Sequence, residues 1–310
     1  MRMSEKRRIL IVKTGFSEFL DRGISTTVSL GDVLTCTTIL HLYKEDHVTW
    51  VTSWAARQLL DNNPYIHELL IFGPDALKRI TESSYDVLIN LEKDMGLCTC
   101  LSQVETKKRY GFYFDDKMHD ISTYNRSTRY LLSGQENHKK LRKLGVEILF
   151  EAIGKRWNDE GFVLGYQPKT EEIYDIGFNF SVGSKWPTKA WPMEKWRALE
   201  EILKERYVIS WQKGQTNILK YIDWINSCKI IVTSDSLGQI VAQVLGKQVI
   251  TLFGATNHKR MEGIPGIHVI SSTLKCPYRP CYQSICRYDK FCMDYISPEK
   301  VASMCEDLLV

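Results

Sequence analysis

Lys229–Gly254 reads KIIVTSDSLGQIVAQVLGKQVITLFG. Lys229–Thr233 is a short β-branched run, and Asp235-Ser236-Leu237-Gly238 interrupts it. An apolar-periodic segment then runs to Leu245, Gly246 stops it, and Val249–Phe253 is a second apolar run. Strand, turn, helix and strand make one βαβ unit of a parallel sheet. Asp235 or Ser236 suits the N-cap, and Gly238 permits close backbone approach. The new helix therefore starts where free N–H groups and the positive dipole end can hold a phosphate. A capped helix in any α/β protein has the same pattern, so the flanking chain decides its meaning.

Outward from that unit the alternation continues. Upstream, Tyr174–Val182 reads as a strand, Pro192–Glu205 as a helix, Tyr207–Trp211 as a strand and Ile218–Cys228 as a helix. Downstream come a strand at Ile267–Ser271 and a closing helix at Pro298–Leu309. The first half has the same rhythm. Strands are expected at Arg8–Lys13, His47–Thr52, Leu69–Phe72, Tyr85–Leu91 and Arg109–Phe114. Helices are expected at Gly31–Tyr43, Ala55–Leu60, Ala76–Thr81, Gly96–Val104 and His138–Ile153. Asp115–His138 is polar and reads as an irregular surface excursion. The pattern lapses around Gly161–Lys169, which sets a boundary between a domain at 1–165 and one at 166–310. Alternating strands and helices define an α/β protein with two doubly wound, Rossmann-like domains and a cleft at the carboxyl ends of both sheets.

A chain of 310 residues with 44% apolar and 25% charged content is ordinary for a globular two-domain protein. The net charge of +4 suits an anionic small molecule or an anionic membrane surface and is too weak to argue for nucleic acid. No apolar run approaches the roughly 20 residues that span a bilayer. The run Ile9–Val12 is too short for a signal peptide, so cytoplasmic residence is expected, with room for peripheral membrane contact.

Three points carry chemistry. Asp32, in Ser29-Leu30-Gly31-Asp32 after strand one, is placed to act as a general base; the helix dipole would equally stabilise it there without any function. Lys189, in SKWPTKAWP (Ser184–Pro192), can neutralise a diphosphate as a mobile point charge, or can be a solvated lysine beside two tryptophans. The third is the Asp235–Gly238 turn, with Phe253-Gly254-Ala255-Thr256 after the next strand.

The fragments ILIVKT (Ile9–Thr14), SLGD (Ser29–Asp32), YDVLINL (Tyr85–Leu91), KKRYGF (Lys107–Phe112), KAWP (Lys189–Pro192), TSDSLG (Thr233–Gly238), LFGAT (Leu252–Thr256) and CMDYISPE (Cys292–Glu299) occur in an informative order. Together they resemble glycosyltransferase family 9, the group that contains the bacterial heptosyltransferases of lipopolysaccharide assembly. The resemblance implies a GT-B architecture, two Rossmann-like domains facing a central cleft, with the nucleotide sugar held mainly by the second. It implies inverting transfer of a sugar, with ADP-heptose as the donor, to a hydroxyl of a surface glycan such as lipopolysaccharide core; lipid-linked and protein acceptors stay open. By position, Asp32 resembles the family's catalytic base, Lys189 its phosphate-binding lysine, and Ser184, Asp235, Ser236 and Gly238 its nucleotide-binding positions. No cofactor is then required for catalysis. An α/β epimerase acting on UDP-sugars is a weaker rival, disfavoured by Asp32 and Lys189.

Two features depart from the family pattern. Ile240 stands where members often carry His, which keeps a catalytically inactive or altered-donor homologue as the alternative. Gly15–Val28 is an added stretch before Asp32, and its Phe16, Phe19 and Leu20 are candidates for shaping the acceptor side. Of the nine cysteines, Cys36, Cys98, Cys100, Cys228 and Cys305 sit in or beside apolar segments and read as small buried hydrophobes. Cys276, Cys281, Cys286 and Cys292 are crowded together with spacing C-x4-C-x4-C-x5-C. That is not the paired C-x2-C of a common zinc ribbon; four thiolates can close on a structural zinc or iron or remain as thiols, and the resemblance implies both, since some relatives resemble iron binders and others carry similar cysteines with no known metal.

Overall fold

Ile9–Val12 in β1 (Arg8–Val12) are buried without alternation. A strand buried on both faces needs neighbours on both edges and cover on both sides, and β1 has the neighbours. It pairs in parallel with β2 (His47–Thr52) through Ile9↔Val48 and with β4 (Ser84–Asn90) through Ile9↔Val87. The computed structural model describes residues 6–19, 24–132, 143–214 and 217–309. The chain divides into two compact units, 1–166 and 167–310.

With β3 (Glu68–Ile71), β5 (Glu105–Asp115) and β6 (Asp120–Thr123), the first unit forms a sheet of order β3-β2-β1-β4-β5-β6. One apolar cluster joins Leu10, Val12, Val51 and Leu88 of the strands to Ile80, Leu97 and Leu101 of the helices Pro74–Thr81 and Met95–Ser102. The pairing β5–β6 is antiparallel, Phe112↔Thr123, within the stretch expected to be irregular. The reversal is made locally: Asp115 Oδ1 accepts from the N–H groups of Lys117 and Met118 at 3.0 and 3.2 Å, and His119 takes φ 49°. The helix expected over Gly31–Tyr43 is α-helical only over Leu30–Cys36 and tightens to 3₁₀ over Thr37–Tyr43. The hydroxyls of Thr37 and Thr38 bond back to the carbonyls of Leu34 and Thr35 there, at 2.6 and 3.0 Å. The helix expected from His138 is described as Gly145–Ala152; positions 138–142 lie outside the described residues.

In the second unit β7 (Tyr174–Asn179), β8 (Ile209–Trp211), β9 (Cys228–Ser234), β10 (Gln248–Phe253) and β11 (Ile267–Ser271) form a wholly parallel sheet of order β11-β10-β9-β7-β8. The helices Met193–Leu203 and Pro298–Leu309 cover it through a core of Phe178, Trp191, Trp196, Ile250, Val301 and Cys305. Trp196 is the centre of that layer, with ring centroids of Trp191 and Phe178 at 5.0 and 5.3 Å.

Each sheet reverses its strand order once, at β1/β4 in the first unit and at β7/β9 in the second. In open α/β sheets such points leave a crevice beyond the carboxyl ends of the two strands. Lys13, Glu92 and the helix bearing Asp32 follow the first pair of strands, and Lys189 and the Asp235 turn follow the second.

Candidate functional site

Lys13 and Glu92 follow β1 and β4 directly, and both are buried. Lys13 Nζ lies 2.6 Å from Asp32 Oδ2 and 3.3 Å from Glu92 Oε1 and donates to the Ser17 carbonyl at 2.5 Å. Burial disfavours the Lys13 ammonium, but the Asp32 and Glu92 carboxylates outweigh it and raise its pKa. Burial likewise works to raise the Glu92 carboxyl, yet Lys13 and a set of hydrogen bonds hold it below the usual range. Those bonds come from the N–H groups of Thr14 and Gly15, both 2.8 Å to Oε1, and from Ser17 N–H and Oγ at 3.0 and 2.6 Å to Oε2.

Asp32 sits in the first turn of the helix Leu30–Cys36, where the dipole favours a carboxylate. Its Oδ2 also accepts from Phe19 N–H at 2.9 Å, and among the described residues Oδ1 has no partner. The side chain keeps 18% of its exposure. Phe19 itself is buried, its ring 5.7 Å from that of Phe112. It therefore anchors the added stretch to the sheet. Leu20 lies outside the described residues.

In the second unit, Ser236 takes the N-cap position of the helix Leu237–Val244 with extended backbone, but its hydroxyl makes no capping bond. The hydroxyl instead accepts from Asn179 Nδ2 at 3.3 Å and meets Thr233 Oγ1 at 3.2 Å. The expected side-chain cap is thus replaced by a link between β7 and β9, and among the described residues the Ser236 side chain caps none of the N–H groups at the helix start. Gly238 is obligatory in that packing: a Cβ there would lie 2.2 Å from Asn179 Nδ2 and 2.4 Å from Tyr221 Oη. Lys189 ends the 3₁₀ turn Pro187–Lys189 and reaches the same place, Nζ being 3.1 Å from the Asp235 carbonyl and 3.2 Å from Oδ2. Desolvation works to raise the Asp235 carboxyl, but Lys189 and Arg260 hold it below its ordinary value. Ile240 is buried in the same helix. Ser184 is exposed, and among the described residues no hydrogen bond ties it to Lys189 or Asp235.

The cysteine-rich segment is fastened by a residue the sequence reading did not single out. Arg279 donates to the carbonyls of Gly254, Ser272 and Leu274 and to Ser271 Oγ at 2.9–3.0 Å. The segment also supports the lysine turn, since the Thr188 hydroxyl bonds the Gln283 carbonyl. Cys292 is buried, and burial pushes its thiol up to about 11. Cys286 is exposed, and Cys276 and Cys281 are half-buried. Among the described residues, no group of three or more His, Cys, Asp or Glu side chains is arranged to hold a metal ion. Cys276, Cys281, Cys286 and Cys292, expected as a zinc or iron set, lie close enough for the other three to help raise the Cys292 thiol, while the segment itself is held by Arg279 and backbone carbonyls. Cys100, expected buried, is half-buried, whereas Cys36, Cys98, Cys228 and Cys305 are buried.

Residues 213–292 match the family model glycosyltransferase family 9 (heptosyltransferase). No curated protein matches the chain. In fold the chain is similar to E. coli heptosyltransferase WaaC with ADP, at 13% identity over 97% of this chain and 99% of that one, TM-score 0.66. It is also similar to E. coli ADP-heptose lipopolysaccharide heptosyltransferase II, at 14% identity over 98% of each chain, TM-score 0.66. A third likeness is to the iron-containing dodecameric glycosyltransferase TibC from enterotoxigenic E. coli, at 12% identity over 99% of this chain and 77% of that one, TM-score 0.58. At such identities the likeness is one of fold. The family match lies over the turn that meets Lys189, and the whole length shares the α/β fold of the GT-B heptosyltransferases.

Proposed function

We propose that the protein is an inverting glycosyltransferase that moves heptose from ADP-heptose to a hydroxyl of a bacterial surface glycan such as lipopolysaccharide core. The observation that carries this reading is the meeting of Lys189 with Asp235 at the start of the helix Leu237–Val244. An ammonium beside helix N–H groups is a donor set for a diphosphate. The unit 167–310 then takes the nucleotide sugar, with Lys189, Asp235, Ser236, Gly238 and Ser184 as its phosphate-side residues, and the unit 1–166 takes the acceptor. ADP and ADP-heptose in the descriptions of two similar proteins support that donor.

Asp32 is the general base in this reading, with Oδ1, unpartnered among the described residues, as the atom that takes the acceptor proton. The hydroxyl oxygen bonds to the anomeric carbon while the bond from that carbon to the diphosphate oxygen breaks. Its proton passes to Asp32, and the nucleoside diphosphate leaves with the electron pair. Attack opposite the leaving group inverts the anomeric centre through an oxocarbenium-like state. Lys189 and the helix N-terminus offset the charge that grows on the leaving diphosphate, a role for which a divalent metal is then not required. A cytoplasmic location with peripheral contact at the inner membrane goes with this reading. Among the described residues no helix is long and apolar enough to cross a membrane.

Ile240 motivates a second reading, a nucleotide-sugar-binding homologue with an altered donor or no turnover, because its buried apolar side chain brings no imidazole to the phosphates. Thermal unfolding against a panel of nucleoside diphosphates and nucleotide sugars separates the two. A ligand that binds only the folded state raises Tm by mass action. Selective stabilisation by ADP and ADP-heptose is the expected result. Stabilisation by another nucleotide points to an altered donor, and no shift with any of them overturns the donor site.

A further inference from the structure

We propose that Lys13 and Glu92 are positioning residues for Asp32: Lys13 fixes one carboxylate oxygen, and Glu92 shares the same ammonium, so that neither carboxylate holds it alone. The inference rests on the reading of Asp32 as the base.

A carboxylate in a private ion pair with a buried lysine is a poor base, because the ammonium stabilises its ionised form. The geometry removes that difficulty. Lys13 Nζ has three protons, and four oxygens surround it: Ser17 O at 2.5 Å, Asp32 Oδ2 at 2.6 Å, Glu92 Oε1 at 3.3 Å and Leu91 O at 3.4 Å. Two carboxylates therefore divide one ammonium, and the trio carries a net charge of −1 when all three are ionised. Glu92 cannot itself serve as a base toward a substrate, since it is buried and accepts four hydrogen bonds on its two oxygens. Asp32 is the partly exposed member, with Oδ1 unpartnered among the described residues.

Among the described residues, two other titratable groups lie close by. Lys93, next to Glu92, donates its ammonium to the carbonyls of Glu18 and Phe19 at 3.3 and 2.8 Å. Cys36, on the same helix as Asp32, is buried, and burial raises its thiol so that it stays neutral. Topology accounts for the meeting: Lys13 and Glu92 follow adjacent parallel strands at the point where strand order reverses, and Asp32 opens the helix after the first.

The test is carboxyl NMR on the full-length protein labelled with 13Cγ-aspartate, the Asp32 signal being assigned by its loss in Asp32→Asn. Relative to wild type, Glu92→Gln is expected to lower the titration midpoint of that signal by about one pH unit. Lys13→Met is expected to raise it by about one unit or more, and the double variant to return it to within roughly half a unit. Glu92→Asp, which keeps the charge, should stay close to wild type. A merely structural role would leave the midpoints where they are, and unmoved midpoints in both single variants overturn the inference. Should Glu92→Gln fail to fold, Lys13→Met alone decides, with an unmoved midpoint again the overturning result. The base reading fails separately: an Asp32→Asn protein that still transfers sugar removes Asp32 as the base, whatever the midpoints do.

Discussion

Lys189 and Asp235 are 46 residues apart in sequence and 3.2 Å apart at Nζ and Oδ2. The contact joins the 3₁₀ turn after β7 to the helix start after β9, on the two strands between which the order of the second sheet reverses. Because both partners are only partly exposed, the pair is screened less than a surface ion pair, and the lysine stays near the helix N–H groups.

Replacing Lys189 by Ala should therefore weaken ADP binding by roughly 10- to 100-fold, the equivalent of about 1.5–3 kcal/mol for a hydrogen bond to a charged group. Calorimetric titration with ADP checks this, alongside an unfolding curve to confirm that stability has changed little. An affinity equal to wild type takes Lys189 out of the phosphate site.

Asp32→Ala should reduce transfer by about 10²- to 10⁴-fold, the usual contribution of a positioned general base. ADP binding should stay within about twofold of wild type if the donor sits on the other unit. The comparison needs transfer to an acceptor that the wild-type protein glycosylates, with ADP affinity measured on the same preparation.

Gly238→Ala tests the packing under the helix start. The added Cβ would meet Asn179 Nδ2 at 2.2 Å and Tyr221 Oη at 2.4 Å, and these two side chains also bond each other at 3.1 Å. Forcing them apart should cost about 1–3 kcal/mol in a urea unfolding experiment and diminish stabilisation by ADP. Gly246→Ala is a useful contrast: nothing lies near its Cβ position, and any cost there arises from its φ of +71°.

Glu92 gives a pH dependence whose sign follows from the direction of its shift. Its folded pKa lies below the ordinary value of 4.5, so its contribution to stability is present above about pH 4.5 and is lost as pH falls through the depressed folded value. Lys13 acts at the other end, because its folded pKa is raised: its contribution holds below about pH 10.5 and fades as pH rises beyond it. Urea midpoints between pH 3 and 7 should fall less steeply on acidification for Glu92→Gln than for wild type.

Arg279→Met should release the cysteine-rich segment. It removes four charge-assisted hydrogen bonds, of which the one to the Gly254 carbonyl lies beside Cys292. A loss of at least about 2 kcal/mol in stability is expected. Cys292, buried with its thiol raised to about 11, should become reactive toward a thiol reagent at neutral pH, whereas exposed Cys286 should react at the same rate in both proteins.

Much of this architecture could be read from the chain alone. Apolar runs such as Ile9–Val12 and Ile230–Val232 announce buried parallel strands because no polar residue breaks them. Their alternation with helices fixes the α/β class, and the motifs around Asp32, Lys189 and Asp235 carry the resemblance to glycosyltransferase family 9. Those signals are local or are ordered fragments, so a linear reading recovers them. The tertiary structure alone decided which groups meet. Glu92 lies 79 residues after Lys13, and nothing in Leu91-Glu92-Lys93 marks it as the carboxylate that shares a buried ammonium with Asp32. The antiparallel β6 was hidden because a four-residue strand among polar residues has too short a period to show. The anchoring of the cysteine-rich segment by Arg279 was likewise invisible in the cysteine spacing, because it runs through backbone carbonyls. Pairing, burial and charge sharing are set by where the strand order of each sheet reverses, and that order is a property of the folded chain.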